Sequence, residues 1–104
     1  MPCWKLVRDR IGEQLAKQGD AYIVQAKPDE REPLLRAKIV EEAMELAESS
    51  SLEEAADLLE ALHAWLHEKG YTWSQLEEER QRKLKKKGGF TKAYIAIWPN
   101  RHTC

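Results

Sequence analysis

The stretch that most constrains this chain is Glu41 to Asp57, which carries two acidic clusters, Glu41-Glu42-x-x-Glu45 and Glu54-x-x-Asp57, on either side of Ser49-Ser50-Ser51. Residues three apart on a helix share a face, lying about 60° apart around its axis. Glu42 with Glu45, and Glu54 with Asp57, therefore project as two carboxylate pairs from two helices joined by a serine-rich turn. If the helices fold back on each other, four carboxylates converge. Such a cluster is strongly unfavourable without a cation, and a hard, all-oxygen donor set suits Mg²⁺ or Mn²⁺. A metal-free reading accounts for the same residues as a solvated acidic face, with Glu54 completing a capping box begun by Ser51. No Lys or Arg lies between Ile39 and Glu60, so any neutralising charge must come from elsewhere.

The flanking pattern supports two central helices. The first is expected from Pro33 to about Glu48, with Leu35, Ile39, Val40, Ala43, Met44, Leu46 and Ala47 on one broad apolar arc, Met44 in the core and Glu42 at the border. The second is expected from after Ser51 to about Glu68, stopped by Lys69-Gly70. Its apolar arc holds Leu52, Ala55, Leu58, Leu59, Leu62, Trp65 and Leu66, and Ala61 and Ala64 leave space along the Asp57 stripe. Glu60, His63 and His67 have the spacing of transition-metal ligands, but they fall opposite the leucines and read more economically as a solvated face.

Two shorter helices complete the reading. One is expected from Arg10 to Gln18, capped by Asp9 and ended by Gly19. The other is expected from Trp73 or Ser74 to Lys87, with Arg80, Lys83 and Lys87 in one basic stripe suited to a polyphosphate or to the helix dipole. Lys27-Pro28-Asp29-Glu30 reads as a turn. Ala21 to Val24 and Thr91 to Trp98 have strand character and could pair as a minor β element.

A chain of 104 residues is expected to form a single domain over 1–104 with a modest core, so a partner subunit suits it. With a formal net charge of −1, no bulk attraction to nucleic acid or membrane is implied, although Arg80 to Lys92 concentrates seven basic residues. No reading motif for nucleic acid accompanies that run. There is no apolar run of membrane-spanning length or signal peptide, so a cytoplasmic location is expected. Cys3 and Cys104 lack metal-ligand spacing and read as free thiols.

The order EExxE, then ExxD, with Lys5-Leu6-Val7-Arg8-Asp9-Arg10-Ile11 before it and Lys87-Gly88-Gly89-Phe90 after it, resembles the MazG-like branch of the all-α nucleoside triphosphate pyrophosphohydrolases. Only eight residues separate Glu45 from Glu54, a short connection similar to that of a small subgroup named for phosphoribosyl-ATP pyrophosphohydrolase. The resemblance implies an all-α fold whose helical hairpin forms a four-helix core in a homodimer or higher homo-oligomer, with the minor β element near the C-terminus. It implies Mg²⁺, or Mn²⁺, held by Glu42, Glu45, Glu54 and Asp57, with Glu41 or another of these carboxylates orienting water. Lys83, Lys87 and Arg8 would contact phosphates. The implied reaction cleaves a nucleotide between its α and β phosphates, releasing a monophosphate and pyrophosphate. Phosphoribosyl-ATP is an alternative substrate, and a non-catalytic helical module for dimerisation or partner binding is the alternative of a different class.

Overall fold

In a computed structural model, residues 4–19 and 21–99 are described. They form four helices, α1 (Asp9–Gln18), α2 (Pro28–Ser49), α3 (Leu52–Lys69) and α4 (Trp73–Lys87), and no strand occurs among the described residues. The expected thiols Cys3 and Cys104 lie outside the described residues. The chain divides into two compact units, one reaching Trp73 and the other starting at Ser74.

The first unit is organised by an antiparallel hairpin of α2 and α3. Its turn is short because Ser50 adopts a left-handed conformation (φ 52°) and closes α2 through its N–H to the Leu46 carbonyl, while Ser51 caps α3 by accepting from the Glu54 N–H at 3.2 Å. At the open end, Trp65 Nε1 donates to Glu32 Oε2 at 2.7 Å and Arg31 Nε donates to Glu68 Oε2 at 3.0 Å. The Trp65 hydrogen bond holds the Glu32 carboxyl below its usual range against partial burial, and Arg36 adds to the effect. Gly70 ends α3 at φ 79°, a left-handed position that favours glycine, and Tyr71 then stacks obliquely on Trp65.

Helix α2 starts five residues before the expected Pro33. Lys27 is extended, Pro28 takes the first helical position, and the Glu30 carboxylate accepts the Lys27 N–H at 2.8 Å. This local cap makes 27–30 a helix start rather than a free turn, and Pro33 is carried inside the helix. At α1, Arg8 rather than Asp9 occupies the N-cap position; Asp9 lies in the first turn, where its charge favours the helix dipole. Helices α3 and α4 match their expected spans to within a residue.

The core is thin. Ala61 and Leu66 are its buried hydrophobic residues, and Glu42 is buried with them. Leu35, Ile39 and Leu46 are half-buried, whereas Val40 and Met44 are exposed, Met44 at 60%, so Met44 is not a core residue of this chain. The reason is geometric: the apolar arc of α2 is wider than one neighbouring helix can cover. Leu52 and Leu59 are likewise exposed on α3.

The second unit contains α4 from its second residue, Ser74, and the chain that follows it. Its helix is laced by short-range ion pairs, Arg80 with Glu77 and Arg82 with Glu79. The Arg80 and Gln81 hydrogen bonds hold the Glu77 carboxyl down to about 2. After Gly88 the Ala93 N–H bonds the Phe90 carbonyl at 3.0 Å and Ala93 is left-handed (φ 50°), so a turn interrupts the alternation from which a strand was expected over 91–98. Tyr94, Ile95, Ile97 and Trp98 are exposed without strand pairing, as are Tyr22 and Val24, and the expected β element does not form among the described residues.

The burial pattern sets a mutational contrast. Leu66→Ala is expected to lower the unfolding free energy by about 2–4 kcal/mol, while Val24→Ala, at an exposed position away from the helix pair, changes it by no more than about 0.5 kcal/mol. Urea denaturation followed by circular dichroism measures both.

Candidate metal centre

The hairpin turns the acidic borders of its two helices toward each other. Glu42 comes from the middle of α2, while Glu54 and Asp57 come from the first two turns of α3. One carboxylate oxygen from each of these three residues lies within 4.8 Å of the other two. Oxygens around Mg²⁺, bound at about 2.1 Å, are no more than about 4.2 Å apart, so small side-chain adjustments suffice to bring this set to one ion.

Glu42 does more than line a cleft. Its side chain is only 8% exposed, and its Oε2 is buried without a hydrogen-bond partner; Glu54 Oε2 is in the same condition. Buried carboxylate oxygens left without partners are costly, and they are the hard donors a divalent cation takes. The donor set and its unsatisfied atoms thus fit Mg²⁺ or Mn²⁺.

Glu45, the fourth expected ligand, is outside the three-oxygen set but presses its carboxylate against that of Glu54. Glu54 responds to all its neighbours. Burial pushes its carboxyl up, and the charges of Glu45, Asp57 and Glu42 push it the same way. Glu41 points elsewhere, forming ion pairs with Lys38 at 3.3 Å and Lys5 at 3.7 Å.

Cations from two directions partly balance the cluster. Lys38 Nζ lies 3.2 Å from Glu42 Oε1, the oxygen opposite the unpartnered one, and bridges to Glu41. Arg8 Nη2 donates to Asp57 Oδ1 at 2.7 Å. Glu45 and Glu54 have no cationic partner among the described residues. Two carboxylates are left uncompensated, a charge that one divalent ion offsets.

Of the expected site residues, the hairpin therefore assembles Glu42, Glu54 and Asp57, sets Glu45 beside them, and turns Glu41 toward lysines. Arg8 reaches the cluster through a carboxylate rather than a phosphate. Lys83 and Lys87 lie on α4 in the second unit, and the third member of their stripe, Arg80, is engaged by Glu77. Lys38 is the participant that the acidic pattern overlooked. Its i, i+4 spacing to Glu42 was the available signal.

A second group, His63, His67, Tyr71 and Trp73, lines a shallow cleft at the end of α3, where His63 and Trp73 rings are 5.9 Å apart. His63 is thereby in an aromatic contact, and among the described residues the histidines join no cluster able to hold a metal. No helix is long and apolar enough to cross a membrane among the described residues. No family model, curated protein or solved structure matches this chain.

The raised Glu54 carboxyl sets a pH dependence with a definite sign. Between its ordinary value of 4.5 and its raised folded value, the folded chain binds more protons than the unfolded one, so stability contributed by this group falls as pH rises through that window. Glu54→Gln is expected to remove that decline and to raise the melting temperature at pH 7 in chelator. Thermal melts of both proteins from pH 4 to pH 8 test this.

Proposed function

We propose that this protein is a Mg²⁺-dependent nucleotide pyrophosphohydrolase, cleaving between the α and β phosphates to give a nucleoside monophosphate and pyrophosphate, as in removing unwanted nucleotides from the pool. The observation that carries the reading is the pair of buried, unpartnered oxygens on Glu42 and Glu54 within a three-carboxylate set. Glu42, Glu54 and Asp57 would hold the ion, with Glu45 beside them. When bound, Mg²⁺ or Mn²⁺ supplies charge neutralisation for phosphate oxygens.

The chain's own residues do the rest. Lys38 holds Oε1 of Glu42 and leaves Oε2 without a protein partner, open to an ion. Glu45, outside the three-oxygen set, is the carboxylate best suited to accept a proton from an attacking water; Glu41 is held away from that role by Lys5 and Lys38. The nucleotide substrate is assigned by the family resemblance. Phosphoribosyl-ATP is the alternative substrate on the same grounds.

The proposal includes a homodimer. Val40 and Met44 on α2, and Leu52 and Leu59 on α3, are apolar and exposed, and a second hairpin covering them would make a four-helix core. The same surface favours a second reading, a non-catalytic helical module that associates through it.

Pyrophosphate release from a panel of nucleoside triphosphates, diphosphates and phosphoribosyl-ATP decides between them. Metal-dependent release is expected, with at least about 100-fold loss in Glu45→Gln and Asp57→Asn at unchanged helicity. Normal turnover by both variants would remove the site, and silence across the panel from a folded dimer would leave the module reading. Met44→Glu is expected to shift the sedimenting species from dimer to monomer.

A further inference from the structure

Among the described residues two cations touch the carboxylate cluster, and they are held very differently. Lys38 is fixed on α2 itself, its side chain only 16% exposed, and it bridges Glu41 and Glu42. Withdrawing it would leave Glu42, already buried, with neither oxygen paired. Arg8 comes from outside the hairpin, at the start of α1, and makes one charge-assisted bond to Asp57 with 56% of its side chain exposed. Water can replace that bond at little cost. Of the two, Arg8 is the cation able to leave.

Asp57 is also one of the three carboxylates converging on a common point. A divalent cation there and the Arg8 guanidinium compete for the same negative charge and repel each other at short range. We propose that Arg8 is the exchangeable counter-ion of this centre: it neutralises Asp57 until a divalent cation takes the carboxylate, and then presents its guanidinium to a phosphate group of the ligand. The inference rests on the metal reading above; the phosphate contact is the one the family resemblance implies for Arg8, and what is added is the counter-ion exchange at Asp57 that precedes it. Guanidinium suits the second task because its planar fork matches phosphate oxygens.

The exchange has a structural consequence. Segment 5–8 is tied to the hairpin's acidic residues by Arg8 with Asp57 and by Lys5 with Glu41 at 3.7 Å, the cations exposed and the carboxylates half-buried. Occupation of the centre by a divalent cation without phosphate therefore loosens that attachment, and by reciprocity loosening it strengthens cation binding.

The test uses the full chain, Mn²⁺ alone, and then inorganic pyrophosphate in the presence of Mn²⁺, by calorimetry. Arg8→Gln is expected to bind Mn²⁺ about fivefold tighter, since a nearby positive charge is gone. It is expected to bind pyrophosphate at least about tenfold more weakly, while Arg8→Lys keeps Mn²⁺ affinity near that of the unaltered protein. In the unaltered protein, Mn²⁺ should speed amide exchange in residues 5–18, and adding pyrophosphate should slow it again. Equal or weaker Mn²⁺ binding by Arg8→Gln overturns the exchange and leaves the metal centre standing, with Arg8 merely orienting Asp57. Failure of both proteins to bind Mn²⁺ overturns the metal centre and the exchange together.

Discussion

The arrangement depends on a carboxylate that the fold places where carboxylates are costly. Glu42 is the most buried polar side chain described, at the interface of the only helix pair with extensive mutual packing among the described residues. An apolar residue there would pack without penalty. Instead the hairpin gathers Glu54 and Asp57 onto the same point, sets Glu45 against Glu54, and brings in Lys38 and Arg8 as partial compensation. A scaffold with only Ala61 and Leu66 as buried apolar residues among those described has little stability to spare for such a cluster. The metal centre proposed above accounts for that cost.

The buried carboxylate also shapes the distribution of the apolar surface. Each central helix has a limited circumference, and the acidic border occupies part of the face turned to its neighbour. Leu35, Ile39 and Leu46 share that face with Glu42, so Val40 and Met44 are left on the far side of α2. On α3 the same division leaves Leu52 and Leu59 exposed while Ala61 and Leu66 are buried. A small chain that gives part of its helix interface to charge leaves apolar surface uncovered.

Much of this was legible from local pattern. The spans of α3 and α4 follow from a serine cap, a glycine stop and helical periodicity, all of which act within a few residues. The start of α2 was less legible, because Pro28 and Pro33 are both acceptable first-turn residues and the Glu30 bond to the Lys27 N–H decides between them. The strand expected over 91–98 rested on alternation alone; a strand also needs a partner, and the left-handed Ala93 breaks the run first. Met44 was misplaced in the core because periodicity identifies an apolar arc without saying how much of it one neighbour covers.

The sequence by itself determined which carboxylates could share a face, because the helix repeat fixes the direction of Glu42 relative to Glu45 and of Glu54 relative to Asp57. It also placed the break between the two helices, through the Ser51 cap of α3. Only the tertiary structure decided that Glu42, Glu54 and Asp57 form the close set, that Glu45 stands beside it and that Glu41 is drawn off by Lys5 and Lys38. Only it brought Arg8 to Asp57 across 49 residues of chain. The physical reason is that helix periodicity sets angles within an element, whereas the rotation and depth of one helix against another are set by packing, which no local spacing encodes.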